Sequence, residues 1–152
     1  MGTTLGPTEY IEQRLEQYRG WYDRKAIKAK ALHLRLSTLA VVGGAVVPVL
    51  VNIDLPFIDI ATTLISLMVV TLVSLESVYH YREQWKNYRS TEQALGHELF
   101  HYKTRTGVYE GLNDDSAFKT LVERVENAIA SENASTLSTM TLASPSSHQA
   151  LQ

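Results

Sequence analysis

The chain has 152 residues, a net charge of −2 and no cysteine, and 45% of its residues are hydrophobic. The lack of cysteine excludes a disulfide framework, a thiolate nucleophile and a cysteine zinc site. All 14 lysine and arginine residues lie outside residues 36–75, whereas a soluble domain spreads such charges over every surface element.

The N-terminal part of the chain predicts a helix over residues 8–35, preceded by a flexible stretch, residues 1–7. Thr8 is a candidate N-cap, and Glu9 and Glu12 lie in the first turn, where the helix dipole favours acidic side chains. One apolar stripe follows at spacings of four, three and four residues: Ile11, Leu15, Tyr18 and Tyr22.

Two apolar runs of 18 residues, 36–53 and 58–75, are predicted to cross a membrane as a helical hairpin. At 1.5 Å per residue, each run spans about 27 Å, close to the hydrocarbon thickness of about 30 Å. Asp54 and Pro56 are typical of the turn between the runs. The turn lacks lysine and arginine and both outer flanks contain them, so both chain ends are predicted to be cytoplasmic. The alternative is a buried hairpin in a soluble core.

Beyond the hairpin, the sequence predicts two further helices. The helix of the second run is expected to continue unbroken over residues 76–106, ended by Gly107 as a C′ glycine. Its apolar residues recur at coiled-coil spacing, with Glu92 at the one skipped position: Val78, Tyr81, Trp85, Tyr88, Leu95, Leu99 and Tyr102.

A last helix is predicted over residues 115–131, capped by the segment that begins at Asn113. Its apolar face consists of Phe118, Leu121, Val122, Val125 and Ile129. Residues 133–152 are rich in serine and threonine and are expected to form a disordered tail. The predicted fold class is therefore all-α, an integral membrane hairpin whose cytoplasmic helices form a small bundle within one chain or between chains.

Several short motifs in residues 8–132 occur together in one known family: Tyr10-Ile11-Glu12, Trp85-x-x-Tyr88-Arg89-x-Thr91, Glu98-x-x-x-Tyr102, Thr106-Gly107-x-Tyr109 and Phe118-x-x-x-Val122-Glu123. In these motifs the chain resembles the SLATT family of bacterial two-transmembrane proteins. The resemblance implies a multi-pass protein of the bacterial inner membrane and a pore-forming effector of bacterial defence. It also implies a cytoplasmic sensor protein as a partner, and it implies no catalytic residues.

Polar and small side chains of the second run share one helical face: Asp59, Thr63, Ser66, Val70, Ser74 and Ser77. Polar groups are costly in lipid, so this face is expected to turn toward protein or water. Because two helices cannot enclose a water path, the hypothesis is a homo-oligomer whose copies line a pore with this face.

Carboxylates at the two mouths of such a pore would favour cations. Asp54 and Asp59 are predicted at the outer mouth and Glu76 at the cytoplasmic mouth. The alternative is that the small and polar residues only pack: the hydroxyls bond back to their own helix, and one group lets the two helices approach closely, namely Gly43, Gly44 and Pro48.

The segment His97-Glu98-Leu99-Phe100-His101 matches the H-E-x-x-H pattern of zinc peptidases, in which two histidines bind zinc and the glutamate acts as a base. Leu95, Leu99 and Tyr102 bury the other side of this helix, so the histidines are expected to face solvent and to bind metal only adventitiously.

We therefore predict no enzyme activity, no cofactor and no nucleic-acid partner. The leading hypothesis is a cation-favouring channel in the lipid bilayer, gated through its cytoplasmic helices. The alternative is a non-conducting membrane adaptor that docks a cytoplasmic partner, and a zinc metallopeptidase is a remote third.

Overall fold

The computed structural model describes residues 5–142, with side chains as far as residue 138, and this part contains helices and no β-strand. In chain order the elements are α1 (Pro7–Tyr10), a π-helical turn (Ile11–Leu15), α2 (Glu16–Leu50), α3 (Ile58–Tyr79), α4 (Tyr81–Thr104), a 3-10 turn (Gly107–Tyr109) and α5 (Asp114–Leu142). The chain divides into two compact units, which we call the bundle unit (the described residues up to Ile27 together with those from Gln84 onward) and the hairpin unit (Lys28–Glu83).

The first helix begins one residue before the predicted N-cap. Pro7 is its first residue and Gly6 is the N-cap, with no side-chain capping bond, so the assignment of Thr8 as N-cap was wrong. Proline suits the first helical position because its fixed φ matches the helix and its missing N–H would have no partner there.

The two apolar runs form helices α2 and α3, each long and apolar enough to cross a membrane. The most apolar 18-residue window of each helix is 6% and 0% buried within the chain. A core helix of a soluble protein would be mostly buried, so these windows do not fit the soluble-core alternative. Helix α2 ends at Leu50, three residues short of the predicted end at 53, and Asn52 Nδ2 donates to the Pro48 carbonyl at 2.7 Å.

The predicted unbroken helix after the second run is wrong. Helix α3 ends at Tyr79, and His80 adopts a left-handed conformation, φ 51°, before α4 begins at Tyr81. The His80 N–H still reaches the Glu76 carbonyl at 3.0 Å, and the Glu83 N–H bonds the His80 carbonyl at 3.0 Å. No glycine or proline marks this break, although histidine is among the residues that tolerate this conformation.

The end of α4 is also built without glycine. Arg105, φ 55°, takes the left-handed position after Thr104. The Thr106 N–H bonds the His101 carbonyl at 3.2 Å and the Arg105 N–H bonds the Tyr102 carbonyl at 3.4 Å, the pattern of a Schellman motif. The prediction that Gly107 ends the helix was therefore wrong, since Gly107, φ 63°, opens the 3-10 turn.

The cap of α5 is confirmed, because Asn113 Oδ1 accepts the Ser116 N–H at 2.8 Å. The helix continues to Leu142, so its predicted end at residue 131 and the start of a disordered tail at 133 were wrong. Buried Glu132 anchors the added turns: its carboxylate accepts Tyr22 OH at 3.2 Å and Thr136 Oγ1 at 2.6 Å. Residues 1–4 and 143–152, also predicted to be disordered, lie outside the described residues.

The core of the bundle unit packs within one chain and includes seven residues of the predicted apolar faces: Leu15, Tyr22, Leu95, Leu99, Leu121, Val125 and Ile129. Tyr10, Tyr109 and Ala117 complete it and belong to none of those faces. Glu92, the polar member of the α4 seam, is 14% exposed and accepts a hydrogen bond from Arg19 Nη2 at 3.1 Å. The ion pair explains how a carboxylate is tolerated at a core-facing position.

Candidate functional site

The two helices of the hairpin unit approach each other closely at Gly43. A Cβ atom built on Gly43 would lie 2.6 Å from Val69 Cγ2, and the side chain of Ile65 is the next nearest. Gly44 has no atom within 4 Å of such a Cβ, and both Gly44 and Pro48 are exposed. Of the three residues predicted to pack, the structure therefore places Gly43 at this contact and does not place Gly44 or Pro48 there.

The polar face of α3 lies on a different side of the helix from this contact, and we call it the polar stripe. Ile65 and Val69 at the contact are half-buried, whereas Val70 in the middle of the stripe is 62% exposed. Ser66 is half-buried, and the other members are exposed: Asp59, Thr63, Ser74 and Ser77. The hairpin unit thus leaves most of the polar stripe uncovered.

Three of the four hydroxyl groups of the polar stripe use their hydrogens within the helix, as the packing alternative predicts. Thr63 Oγ1 donates to the Asp59 carbonyl, Ser66 Oγ to the Thr62 carbonyl and Ser74 Oγ to the Val70 carbonyl, each at 2.8 Å. Such bonds satisfy the donor of each hydroxyl but leave lone pairs on its oxygen. The hydroxyls therefore present acceptors outward, which attract cations and the hydrogens of water.

Three carboxylates were predicted at the mouths of a pore, and they differ in exposure and in hydrogen bonding. Asp54 and Asp59 are exposed around the turn between α2 and α3. Glu76 instead pairs with His33 of α2, with Oε1 2.7 Å from Nδ1, and their side chains are 24% and 21% exposed. Its other oxygen is buried and has no hydrogen-bond partner among the described residues.

The His33–Glu76 pair links the two hairpin helices, so Glu76 makes a cross-helix contact, and its position at a pore mouth stays a prediction. This pair was not predicted. The available signal was that both residues lie just outside the apolar runs, at the ends that a hairpin brings together. Charged groups near a membrane-length helix are costly unless they are paired, which favours such a contact.

The H-E-x-x-H segment lies in the bundle unit, with His97 and His101 exposed on α4. Glu98 accepts Arg124 Nε at 2.8 Å, Arg124 Nη2 at 2.5 Å and Tyr109 OH at 2.9 Å. The Arg124 guanidinium, aided by Tyr109, holds the pKa of Glu98 below its usual range. A peptidase base must instead reach a metal-bound water, and this carboxylate is held by its two partners.

Within residues 5–142, no group of three or more histidine, aspartate or glutamate side chains is arranged to hold a metal ion. A catalytic zinc site ordinarily uses three protein ligands. The segment therefore lacks both the base and the third ligand of a zinc peptidase in the part of the chain that the structure describes.

The chain matches the sequence profile of one known protein family. The profile of the family described as Protein of unknown function (DUF4231) matches residues 17–117, which include both apolar runs and α4. No curated protein and no solved structure matches the chain. The match covers about two thirds of the sequence, and the chain belongs to the DUF4231 family.

Proposed function

We propose that this member of the DUF4231 family is a homo-oligomeric membrane protein that conducts cations through a pore lined by the polar stripe. The observation that carries the proposal is that the stripe stays exposed on a helix long and apolar enough to cross a membrane. In a bilayer such a face favours contact with protein or water over lipid. Several hairpins arranged around an axis would give each stripe that contact.

The chemistry of the stripe supports cations as the conducted species. The hydroxyl oxygens of Thr63, Ser66 and Ser74 keep lone pairs, because their hydrogens are used by the carbonyls one turn back. Asp54 and Asp59 add carboxylates near the turn, and rings of carboxylates favour cations. Exposed Val70, between Ser66 and Ser74, would provide an apolar constriction that gates by dewetting.

The proposal includes the topology and setting that the sequence predicts. Lysine and arginine flank the hairpin on both outer sides and are absent from its turn, which favours cytoplasmic chain ends. The resemblance to the SLATT family adds a bacterial inner membrane and an effector role in defence, with a cytoplasmic sensor protein as partner. Gating through the cytoplasmic helices is part of the proposal.

The decisive experiment uses the absence of native cysteine. Val70 and Leu64 are almost equally exposed, 62% and 61%, but only Val70 belongs to the polar stripe. We expect a charged, water-soluble thiol reagent to block the cation current of Val70→Cys protein in liposomes and to leave that of the matched control Leu64→Cys unchanged. Equal sensitivity of both variants, or no cation flux from the unmodified protein, would contradict a pore lined by the stripe.

The acidic residue at the start of the stripe tests the role of charge. Asp59→Asn removes one carboxylate per chain from the turn, and we expect it to reduce the preference for cations, measured as the reversal potential in a potassium chloride gradient. Asp23→Asn, in the bundle unit, is the control and should leave the reversal potential unchanged.

The adaptor hypothesis is supported by a different feature, a cavity of about 470 Å³ in the bundle unit. Three aromatic side chains line it, Tyr18, Trp21 and Tyr22, together with Arg24, and Trp21 is 40% exposed. Aromatic residues and arginine are enriched where proteins bind partners. The mass of the assembly in nanodiscs separates the hypotheses, because a pore needs several copies around an axis and an adaptor works as a monomer or a dimer.

A further inference from the structure

The exposed histidines of α4 border a cavity that the proposed pore does not use. The cavity has a volume of about 380 Å³ and lies in the bundle unit, between α4, the 3-10 turn and α5. His97 and His101 line it, together with Gly107 and Val108. Residues four apart on a helix have Cβ atoms about 5–6 Å apart, so two imidazoles at this spacing can reach one metal ion.

Hydrogen bonds around His101 favour one position for the proton of its ring. Thr104 Oγ1 donates to the Phe100 carbonyl at 2.8 Å, because a carbonyl can only accept. Thr104 and Thr106 hydroxyls lie 2.9 Å apart, so Thr106 supplies the hydrogen of that bond. Thr106 Oγ1 is also 2.9 Å from His101 Nδ1 and has no hydrogen left, so His101 Nδ1–H is the donor.

This assignment of the hydrogens leaves the lone pair of His101 on Nε2. Metal-binding histidines characteristically donate their second ring nitrogen to an oxygen that fixes the tautomer and the ring orientation. The threonine pair supplies this arrangement, which distinguishes His101 from a surface histidine with no hydrogen-bond partner.

The charge of the cavity permits a cation. Arg124 lines the cavity, but its guanidinium makes two hydrogen bonds to the Glu98 carboxylate, so the pair is neutral as a whole. Because Glu98 is held in this pair, the two imidazoles are the available ligands. Water would complete the coordination, and such an open, neutral-ligand site suits Zn²⁺, Ni²⁺ or Cu²⁺ rather than Mg²⁺ or Ca²⁺.

We propose that His97 and His101 form a binding site for a divalent transition-metal ion, with His101 positioned by Thr106. The site binds metal reversibly and has no hydrolytic function, since Glu98 is engaged elsewhere. Metal binding at this site does not require a pore, so a negative result for one proposal does not contradict the other.

The test measures Zn²⁺ affinity of metal-free, full-length protein in nanodiscs by competition with a chromophoric zinc chelator. We expect His97→Ala and His101→Ala each to weaken binding at least about tenfold, and Thr106→Val to weaken it by about 10–100-fold, the range for partners that orient a ligand. His80→Ala is the control with unchanged affinity, because His80 belongs to α3's C-terminal cap. Unchanged affinity in the His97→Ala/His101→Ala double variant would overturn the site.

Long-range ¹H–¹⁵N spectra of the histidine-labelled protein give a second measurement that needs no variant at Thr106. We expect His101 to show the tautomer protonated at Nδ1 before metal is added, and its Nε2 signal to shift when Zn²⁺ binds. The opposite tautomer, or a Thr106→Val protein that is folded and binds Zn²⁺ as tightly as the unmodified chain, would refute the positioning role of Thr106.

Discussion

Replacing Gly43 with alanine places a methyl group where α2 meets α3. The new carbon would lie 2.6 Å from Val69 Cγ2, well inside the separation of about 3.5–4.0 Å at which two carbon atoms attract. Val69 cannot easily turn away, because a β-branched side chain in a helix has one strongly preferred rotamer. The helices must therefore separate or Val69 must become strained.

The adjacent glycine provides the reference for the size of this effect. Gly44→Ala meets nothing within 4 Å, so it keeps only the gain in helix propensity, about 1 kcal/mol. Gly43→Ala has the same gain and also the cost of overpacking, about 1–3 kcal/mol. Because the propensity gain is common to both variants, we expect Gly43→Ala to be less stable than Gly44→Ala by about 1–3 kcal/mol.

The measurement is unfolding of the full-length protein in mild detergent by titration with sodium dodecyl sulfate, followed by circular dichroism. Shortening the opposing side chain provides a further check, since Val69→Ala removes the atom that clashes. We expect Gly43→Ala to cost little stability in a Val69→Ala background. If Gly43→Ala and Gly44→Ala are equally stable, or if Val69→Ala gives no relief, the close contact between α2 and α3 is refuted.

Two further predictions concern the bundle unit. Leu121 is fully buried, so Leu121→Ala should lower the free energy of unfolding by about 2–5 kcal/mol. Val108→Ala, at an exposed position, is the control and should change this free energy by less than about 0.5 kcal/mol. Both are measured in the same denaturant titration. Arg14 donates two hydrogen bonds to the Glu126 carboxylate and holds the pKa of Glu126 below its usual range. The ionised carboxylate therefore stabilises the fold at pH values above the pKa of glutamate in the unfolded chain, about 4.3, and this stabilisation is lost as the pH falls. Glu126→Gln should therefore lower the melting temperature at pH 7, by an amount that shrinks as the pH falls below 4, and a pH-independent difference would contradict this ion pair.

The elements with a regular hydrophobic period were predictable because that period is a property of the sequence itself. The faces of α4 and α5 that contain Leu95, Leu99, Leu121 and Val125 were predicted, and these residues are buried together in the bundle unit. The cap at Asn113 was predicted for a similar reason, since its side chain bonds a backbone group only three residues away.

Breaks in the helices were not predictable in the same way. His80 and Arg105 both adopt left-handed conformations, which glycine adopts at the lowest cost and other residues adopt when surrounding contacts stabilise them. The continuation of α5 beyond residue 131 depends on Tyr22, which is distant in sequence and donates to buried Glu132. A segment rich in serine and threonine gives no local sign of such an anchor.

The sequence by itself determined that this chain has two membrane-length helices and a polar stripe on one of them, because charge, hydropathy and helical period are local and additive along the chain. Only the tertiary structure decided which side chains meet. It placed Gly43 against Val69, paired Glu76 with His33, and engaged Glu98 with Arg124. These contacts join residues 26 to 43 positions apart, and a short-range sequence pattern does not specify which polar group will find which partner when the helices pack.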